Sequence, residues 1–247
     1  MLTLLSVPKP FEGEMGALQR RSVESWRALG VQVLLLGGVA EAARELEVEH
    51  VPGLELTARG TPRLDSALSL ADEAARFPLR CFVNADVILR SDLLDATKAV
   101  TEQAQQRFLL VGQTEEDGRR RGAAAMDWFV FPAGLFGDLP PFAIGRACFD
   151  NWLVWKARQV GIVVDVTHDV RAIHQPHGYE HVDGGMDEAY YGEEAARNLE
   201  LAGGKSHLYT LHDASHVLRG GRLHRNLGAP LRWRETVRKL AWKLGKR

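Results

Sequence analysis

The stretch Leu79-Arg-Cys-Phe-Val-Asn-Ala-Asp86-Val-Ile-Leu89 decides the fold of this chain. An apolar run that predicts a buried strand ends in a turn with one amide, Asn84, and one carboxylate, Asp86, and a second apolar run follows at once. In an open α/β sheet, ligands bind beyond the carboxyl ends of the strands. A carboxylate at that edge suits a hard cation that keeps coordination sites for phosphate oxygens. The alternative is that Asp86 only caps the turn after the strand.

On both sides of this stretch, short apolar runs alternate with helical patterns. The predicted strands are residues 2–7, 31–36, 80–83, 108–111, 128–131 and 162–166. The predicted helices are residues 15–29, 62–76, 92–106 and 149–159, with Ser91-Asp92 as the N-cap of the third and Gly161 at the end of the fourth. This alternation predicts an α/β fold with a mostly parallel central sheet covered by helices on both faces.

Two other predicted strands end in residues that lie at the same edge of the sheet. The run at 2–7 is followed by Pro8-Lys9-Pro10, and the run at 31–36 by Gly37-Gly38. Neither has the glycine spacing GxGxxG or GxxxxGK(S/T) with which backbone N–H groups hold phosphates. The sequence therefore does not support a Rossmann dehydrogenase or a P-loop protein.

A second group of polar residues surrounds a strand and a helix further along the chain. Asp127 and Trp128 open the apolar run at 128–131, and Asp150 and Trp152 begin the helix at 149–159. A negative charge in the first turn of a helix is stabilised by the helix dipole. Either Asp150 is a helix cap and Trp152 a core residue, or both serve chemistry at the sheet edge.

Four of the nine histidines fall within fourteen residues, namely His168, His174, His177 and His181. His168 and His181 are interpreted as residues of a solvated loop. His174 ends a short apolar strand, and His177 follows three residues later beside a glycine. An imidazole pair also suits zinc, although neither a cysteine partner nor an HExxH pattern accompanies it.

The pattern Asn84-Ala-Asp86 at the end of a central strand resembles the GT-A glycosyltransferases, in which a DxD-type motif binds a divalent metal and the diphosphate of a nucleotide sugar. This sequence departs from the motif because Asn84 stands in place of the first acid. The last Asp of the motif commonly contacts the metal, which implies that role for Asp86. The order of predicted elements matches the GT-A type over roughly residues 1–182.

The resemblance also implies a division of roles. The family's base is an acid that begins a helix after the metal motif, which corresponds to Asp150, and Asp127 orients the acceptor or is an alternative base. A histidine often completes the metal site, so His174 or His177 joins Asp86 in holding Mn²⁺ or Mg²⁺. The other expected site residues are Lys9, Arg63 and Asn84 for the donor, and Trp128, Arg146, Asn151 and Trp152 for the acceptor.

Charge is distributed unevenly along the 247 residues. The formal net charge is −1, but residues 219–247 contain ten Lys or Arg and one acid, whereas residues 1–218 have 21 basic and 31 acidic side chains. The apolar residues of the tail fall on one helical stripe, namely Trp233, Val237, Leu240, Ala241 and Leu244. We expect a domain over 1–218 and an amphipathic tail over 219–247 that contacts anionic lipid. The alternative is a helix packed on the domain with a solvated basic face.

Composition limits the class of protein further. Apolar residues make up 45% of the chain and charged residues 26%, no apolar run approaches the ~20 residues of a membrane helix, and the two cysteines lack metal-ligand spacing. The first residues do not show a secretion-signal pattern. We expect a reduced cytoplasmic protein, peripheral on the membrane through its tail. A nucleic-acid partner is not expected, because residues 1–218 are acidic and aromatic residues do not interleave with the tail charges.

The sequence thus predicts a metal-dependent glycosyltransferase in polysaccharide biosynthesis. It moves a sugar from a nucleotide diphosphate, UDP by resemblance, to a saccharide or lipid-linked acceptor, with inversion by Asp150. A sugar-nucleotide pyrophosphorylase is one alternative, but it should have a glycine-rich basic loop where this chain has Pro8-Lys9-Pro10-Phe11. A non-catalytic saccharide- or nucleotide-binding protein on a degenerate GT-A fold is the other, with Asn84 as the sign of lost activity.

Overall fold

The computed structural model describes residues 1–105, 107–178 and 184–227, which form two sheets and seven α-helices. The strands are β1 (Leu2–Ser6), β2 (Gln32–Leu36), β3 (Glu49–Val51), β4 (Leu79–Val83), β5 (Val87–Ile88), β6 (Phe108–Val111), β7 (Thr114–Glu116), β8 (Arg119–Arg120), β9 (Trp128–Pro132), β10 (Ile162–Asp165), β11 (Ala172–His174), β12 (His216–Arg219) and β13 (Arg222–Arg225). The helices are α1 (Gly13–Arg27), α2 (Ala40–Glu45), α3 (Leu64–Ala74), α4 (Asp92–Gln103), α5 (Phe149–Val160), α6 (Gly185–Tyr191) and α7 (Glu193–Leu201), with 3-10 turns at Lys205–His207 and Leu211–Asp213.

The central sheet has the strand order β13-β12-β10-β6-β9-β4-β1-β2-β3. Its neighbours pair in parallel except at β9, which runs antiparallel to β4 and β6, and at β13, which runs antiparallel to β12. All six predicted strands and all four predicted helices form, and their ends lie within three residues of the prediction. The predicted mostly parallel α/β sheet is confirmed.

The apolar strands are buried on both faces, which explains their continuous apolar runs. Every residue of β1, β2 and β4 is buried, and successive side chains point to opposite faces. Leu4 packs in one core with Trp26 of α1, whereas Leu5 packs in the other with Leu64 of α3 and Leu153 of α5. Helices therefore cover both faces, and the carboxyl edge of the sheet is left for a site.

Several short elements are not predicted by the sequence. Among them are α2, β3 and the strands β7 and β8 of a smaller sheet with the strand order β5-β11-β7-β8. With six residues in α2 and two in β8, such elements are too short to show a periodic pattern. At the predicted helix ends, Gly161 is the C-cap of α5, and Ser91 is the N-cap of α4 without a side-chain capping hydrogen bond.

The predicted domain boundary between residues 218 and 219 falls inside β12 (His216–Arg219). This strand pairs in parallel with β10 and antiparallel with β13, so the central sheet continues to Arg225. The predicted amphipathic helix of the tail lies in residues 228–247, outside the described residues. Among the helices that the structure describes, none has the length and apolar character needed to cross a membrane.

Candidate functional site

The turn between β4 and β5 places Asp86 at the carboxyl edge of the central sheet. The N–H of Asn84 donates to the carbonyl of Asp127 (2.9 Å) and the N–H of Val87 donates to the carbonyl of Asn84 (3.2 Å), which fixes the turn. Strand β11 pairs antiparallel with β5, so that His174 lies opposite Val87, the neighbour of Asp86. The pairing of two short strands therefore brings distant parts of the sequence to one point.

Two histidines converge on the carboxylate of Asp86. The Nε2 atom of His177 lies 2.7 Å from Asp86 Oδ2, and the Nε2 atom of His174 lies 3.6 Å from the same oxygen. Ligand atoms of all three residues lie within 4.8 Å of one another. Both histidines, and not one of them, face the carboxylate at which the sequence places a metal.

Each imidazole is held in place through its other ring nitrogen. The Nδ1 atom of His174 lies 2.8 Å from Glu116 Oε2, and the Nδ1 atom of His177 lies 2.7 Å from the carbonyl oxygen of Gly178. Because an ionised carboxylate and a carbonyl only accept hydrogen bonds, each Nδ1 atom carries a proton in these contacts, and His177 carries a second proton on Nε2 when it donates to Asp86. These outer contacts aim both Nε2 atoms at Asp86, as outer partners do in metal sites.

Asp86 itself has the character of a metal ligand. Burial raises its pKa, but the hydrogen bond from His177 and the charges of His174 and His177 outweigh burial, so the pKa of Asp86 lies below its usual value. Its Oδ1 atom is buried and has no hydrogen-bond partner in the described part of the chain. A buried carboxylate oxygen without a partner lowers the stability of the fold, and coordination to a divalent cation would supply that partner. This donor set fits two of the metals that the sequence suggests, because imidazole is a usual ligand of Zn²⁺ and carboxylate is a usual ligand of Mn²⁺.

A cavity of about 410 Å³ opens beside Asp86, at the ends of β1 and β4. Lys9 enters it from the turn after β1, where the Gln19 side chain bonds the N–H (2.8 Å) and carbonyl (3.0 Å) of Lys9. Burial lowers the pKa of Lys9 to about 8, while the charge of Asp86 opposes this shift and that of Arg146 adds to it. The lining also includes Asn84 and Arg146. Two cationic side chains beside a carboxylate suit a ligand with phosphate groups and a bound cation.

Arg63, which the sequence assigns to the donor, does not line this cavity. Its guanidinium is 2.6 Å from Glu55 and 2.6 Å from Asp65, and the hydrogen bond to Asp65 raises the pKa of Arg63. It lines a second cavity of about 470 Å³, between the 55–63 segment and α7. The structure therefore does not bring Arg63 to the cavity that the other predicted donor residues, Lys9, Asn84 and Asp86, line.

Asp127 is held by three donors. Its Oδ1 accepts from Asn84 Nδ2 (3.2 Å), and its Oδ2 accepts from Thr114 Oγ1 (2.7 Å) and Arg121 Nη1 (2.8 Å). Because both oxygens are occupied, Asp127 fits the role of a fixed charge better than that of the alternative base. The same contact gives Asn84 a function, since its amide reaches the acid at the edge of the cavity and an aspartate could not donate there.

Asp150 lies in the first turn of α5, two residues after the N-cap Cys148, whose φ of +86° is in the left-handed region. Burial raises the pKa of Asp150 to about 7; backbone N–H groups of Asn151 and Asp150 oppose this shift, and the charge of Asp127 adds to it. A carboxyl with that pKa exchanges a proton near neutral pH, as a general base must. Neither acid lines the Asp86 cavity, and Asn84 connects Asp127 to it.

Three predicted acceptor residues are used inside the fold. Trp128 in β9 is fully buried, and Trp152 is 5% exposed, with its ring centroid 5.2 Å from that of Phe142. The amide of Asn151 donates to the carbonyl of Tyr209 at 2.8 Å. The buried positions argue against the predicted acceptor roles of Trp128 and Trp152, because the apolar face of α5 needs Trp152 in the core and neither tryptophan presents a face to a sugar. The predicted role of Asn151 stays a prediction.

Sequence reasoning misses the residues that hold the site together from outside. Glu116 holds His174, Arg121 holds Asp127, and Arg121 Nε also lies 3.8 Å from Glu116 Oε2. These two residues connect the trio of Asp86, His174 and His177 to the acid pair Asp127 and Asp150. In the sequence, Glu116 and Arg121 are marked only by the charged loop 114–122, and the spacing of its charges does not show which side chains they contact.

Comparison with known proteins bears on the fold. No protein-family model matches the sequence, and no curated protein matches it. Among solved structures, the chain is similar to residues 1–349 of TarS from S. aureus in complex with UDP-GlcNAc, with 13% identity, a TM-score of 0.54, and coverage of 81% of this chain and 65% of that chain. This chain has a GT-A-like fold. It is also similar to HddC from Yersinia pseudotuberculosis complexed with GMP-PN, with 12% identity, a TM-score of 0.44, and coverage of 70% of this chain and 92% of that chain.

Proposed function

We propose that this GT-A-like protein is a metal-assisted glycosyltransferase that uses a nucleotide-diphosphate sugar. The observation that carries the proposal is the convergence of His174 and His177 on Asp86, which lines a cavity together with Lys9. A cation site next to a desolvated ammonium group is complementary to a diphosphate with its metal.

In the proposed complex, the donor lies over the ends of β1 and β4. Lys9 binds its phosphate oxygens, and the half-buried position of this side chain strengthens that interaction because water is partly excluded. Asp86, His174 and His177 hold the divalent cation, which when bound neutralises charge on the departing diphosphate. Glu116 and the Gly178 carbonyl keep both imidazoles oriented for that purpose.

Asp150 is the proposed base. Its carboxylate takes the proton of the acceptor hydroxyl while the hydroxyl oxygen forms a bond to the anomeric carbon of the sugar. The bond between that carbon and the diphosphate breaks, and the electron pair leaves with the nucleoside diphosphate. Attack from the face opposite the leaving group inverts the anomeric configuration. Asp127, fixed by Arg121, supplies negative charge that helps Asp150 to accept the proton.

The identities of the donor and the acceptor are proposed from one structural similarity and from the composition of the C-terminal residues. UDP is supported by the likeness to TarS, which was crystallised with UDP-GlcNAc. A saccharide or lipid-linked acceptor in polysaccharide biosynthesis is supported by the basic composition of residues 219–247, which suits contact with an anionic membrane.

The test is the unfolding temperature in the presence of UDP, GDP or CDP, each with Mn²⁺, Mg²⁺ or EDTA. A ligand at ~100 times its Kd adds ~2.7 kcal/mol, which is about 5 °C or more for a chain of this size. UDP with Mn²⁺ should give such a shift, and EDTA should abolish it. If no nucleotide shifts the temperature with either metal, the donor assignment is wrong.

A second measurement separates an enzyme from a binding protein. The full chain is incubated with UDP-sugars, and release of UDP is followed by chromatography with and without Mn²⁺. Metal-dependent release supports transfer, whereas tight binding without release favours the non-catalytic alternative. Release of pyrophosphate from UTP and a sugar 1-phosphate would instead identify a pyrophosphorylase.

A further inference from the structure

Arg146 and Lys9 line the same cavity beside Asp86, although the sequence assigns Arg146 to the acceptor. The two positive charges are close enough that Arg146 lowers the pKa of Lys9. Like charges that share one cavity repel each other, and a multiply charged anion that contacts both side chains would relieve this repulsion.

Arg146 is held from behind by a buried acid on α7. Glu194 is 6% exposed, and its Oε2 atom lies 3.1 Å from Arg146 Nε. The hydroxyl groups of Thr57 and Thr61 donate to its two oxygens, each at 2.5 Å. Within the described residues, the Nη2 and Nη1 atoms of Arg146 make only long contacts, 3.3 Å to Thr61 Oγ1 and 3.4 Å to the Gly145 carbonyl. Glu194 thus holds the guanidinium by charge, and the buried Nε atom of Arg146 has no hydrogen-bond partner within the described residues, which leaves it available to a stronger acceptor.

The backbone around Arg146 is held by the same helix. Asn198, which is 1% exposed, accepts from the N–H of Ala143 (2.9 Å) and donates to the carbonyls of Ala143 (3.0 Å) and Ala147 (3.1 Å). These contacts lie on both sides of Arg146 in the sequence. Helix α7 therefore fixes both the side chain and the main chain of this loop.

We propose that Arg146 binds the diphosphate of the donor opposite Lys9, and that Glu194 is the positioning residue that orients Arg146. A planar guanidinium fixed along one edge can donate two parallel hydrogen bonds to phosphate oxygens along the other. The inference rests on the proposed function, because it names the subsite that holds the diphosphate of the donor.

The test measures, by calorimetry on the full chain, the affinities for inorganic pyrophosphate with Mn²⁺ and for Mn²⁺ alone. Pyrophosphate has no base or sugar, so the result does not depend on which nucleotide is used. Arg146→Gln should weaken pyrophosphate binding about tenfold or more, and Glu194→Gln should weaken it by about three- to tenfold. Neither variant should change the affinity for Mn²⁺ alone. Glu193→Gln, an exposed acid one residue earlier in α7, is the matched control and should behave as wild type.

The double variant separates positioning from general damage to the fold. If Glu194 acts through Arg146, adding Glu194→Gln to Arg146→Gln should cause no further loss of pyrophosphate affinity. Full, additive losses in the double variant, or wild-type affinity in either single variant, would overturn the inference. If wild type binds pyrophosphate but releases UDP, GDP or CDP from none of their sugars, the proposed transferase function fails while the anion subsite stands. If wild type binds no pyrophosphate, the subsite is wrong.

Discussion

Asp86 and Asp150 are both partly buried carboxylates near the carboxyl edge of the central sheet, yet their surroundings shift their pKa values in opposite directions. The pKa of Asp86 lies below the usual value, whereas that of Asp150 is raised to about 7. Burial raises both pKa values, so the difference comes from the partners. Two imidazoles face Asp86, whereas Asp150 has the negative charge of Asp127 nearby.

This difference supports the proposed roles of Asp86 and Asp150. A carboxylate that stays ionised over a wide pH range is suited to hold a cation, and one that titrates near pH 7 is suited to exchange protons. Asn84 donates to Asp127, the acid whose charge raises the pKa of Asp150, while the Asp86 carboxylate faces the histidines. Replacing either acid should therefore remove a different property of the protein.

The largest expected effect is that of Asp86→Ala. This change removes the only carboxylate of the predicted trio, so metal-dependent donor binding should be lost and turnover should fall below detection. Mn²⁺ affinity and release of UDP from a UDP-sugar measure the two effects. Asp138→Ala, an exposed acid away from the cavity, is the control. Unchanged turnover in Asp86→Ala would contradict the metal assignment.

Asp150→Asn should leave the binding of Mn²⁺ and UDP unchanged and should greatly reduce sugar transfer. Loss of a general base lowers kcat by about 10²- to 10⁴-fold. The affinities for Mn²⁺ and for UDP with Mn²⁺ should stay at wild-type values, because neither ligand contacts α5 in the proposal. Steady-state kinetics together with calorimetry show the split. A kcat within a few-fold of wild type would exclude Asp150 as the base.

The same variant should change how stability depends on pH. Because the pKa of Asp150 is higher in the folded chain than in the unfolded one, the folded chain keeps a proton that the unfolded chain releases, and stability falls as pH rises from about 4 to about 7. The free energy of unfolding of wild type relative to Asp150→Asn should drop by about 2–3 kcal/mol between pH 5 and pH 8. Urea denaturation of both proteins across this range measures the difference. Parallel curves would show that the pKa of Asp150 is not raised.

Asn84→Asp should harm the protein, although it restores the DxD pattern. The new carboxylate cannot donate to Asp127 and brings a second negative charge against it, which should cost about 1–3 kcal/mol of stability. Metal-dependent UDP binding should not improve. Denaturation and Mn²⁺ calorimetry measure both, with Asn226→Asp, remote from the site, as control. Tighter Mn²⁺ binding in Asn84→Asp would instead mark Asn84 as a lost ligand.

The parts of this site that the sequence predicts are those that follow from strand ends. The buried run of β4 places Asp86 at the edge, and the helical pattern of α5 places Asp150 in a first turn. Trp152 shows the limit, because an apolar residue at that spacing fits a core and a sugar platform equally well. The core wins because Phe142 reaches it from another loop.

The outer contacts depend on pairs that no spacing reveals. Glu194 meets Arg146 only because α7 packs on the loop before α5, and Glu116 meets His174 through the pairing of β7 with β11. The sequence places Arg63 at the start of a predicted helix and assigns it to the donor, but its guanidinium pairs with Glu55 and Asp65 and does not line the Asp86 cavity. These side-chain pairs join elements that are distant in the sequence, so they can be identified only once the fold is known.

The smallest expected effect concerns the backbone of the two turns. Cys148 has a φ of +86°, which costs a residue with a side chain about 1–2 kcal/mol, whereas Ala85, beside Asp86, is not among the positive-φ residues. Since glycine also loses about 0.5–1 kcal/mol through its flexible unfolded state, Cys148→Gly should be more stable than Cys148→Ala by about 0.5–1 kcal/mol. Ala85→Gly should instead be less stable than wild type by a similar amount. Urea denaturation measures both differences. If Cys148→Gly is less stable than Cys148→Ala, backbone strain at Cys148 does not distinguish the turn that presents Asp150 from the turn that presents Asp86.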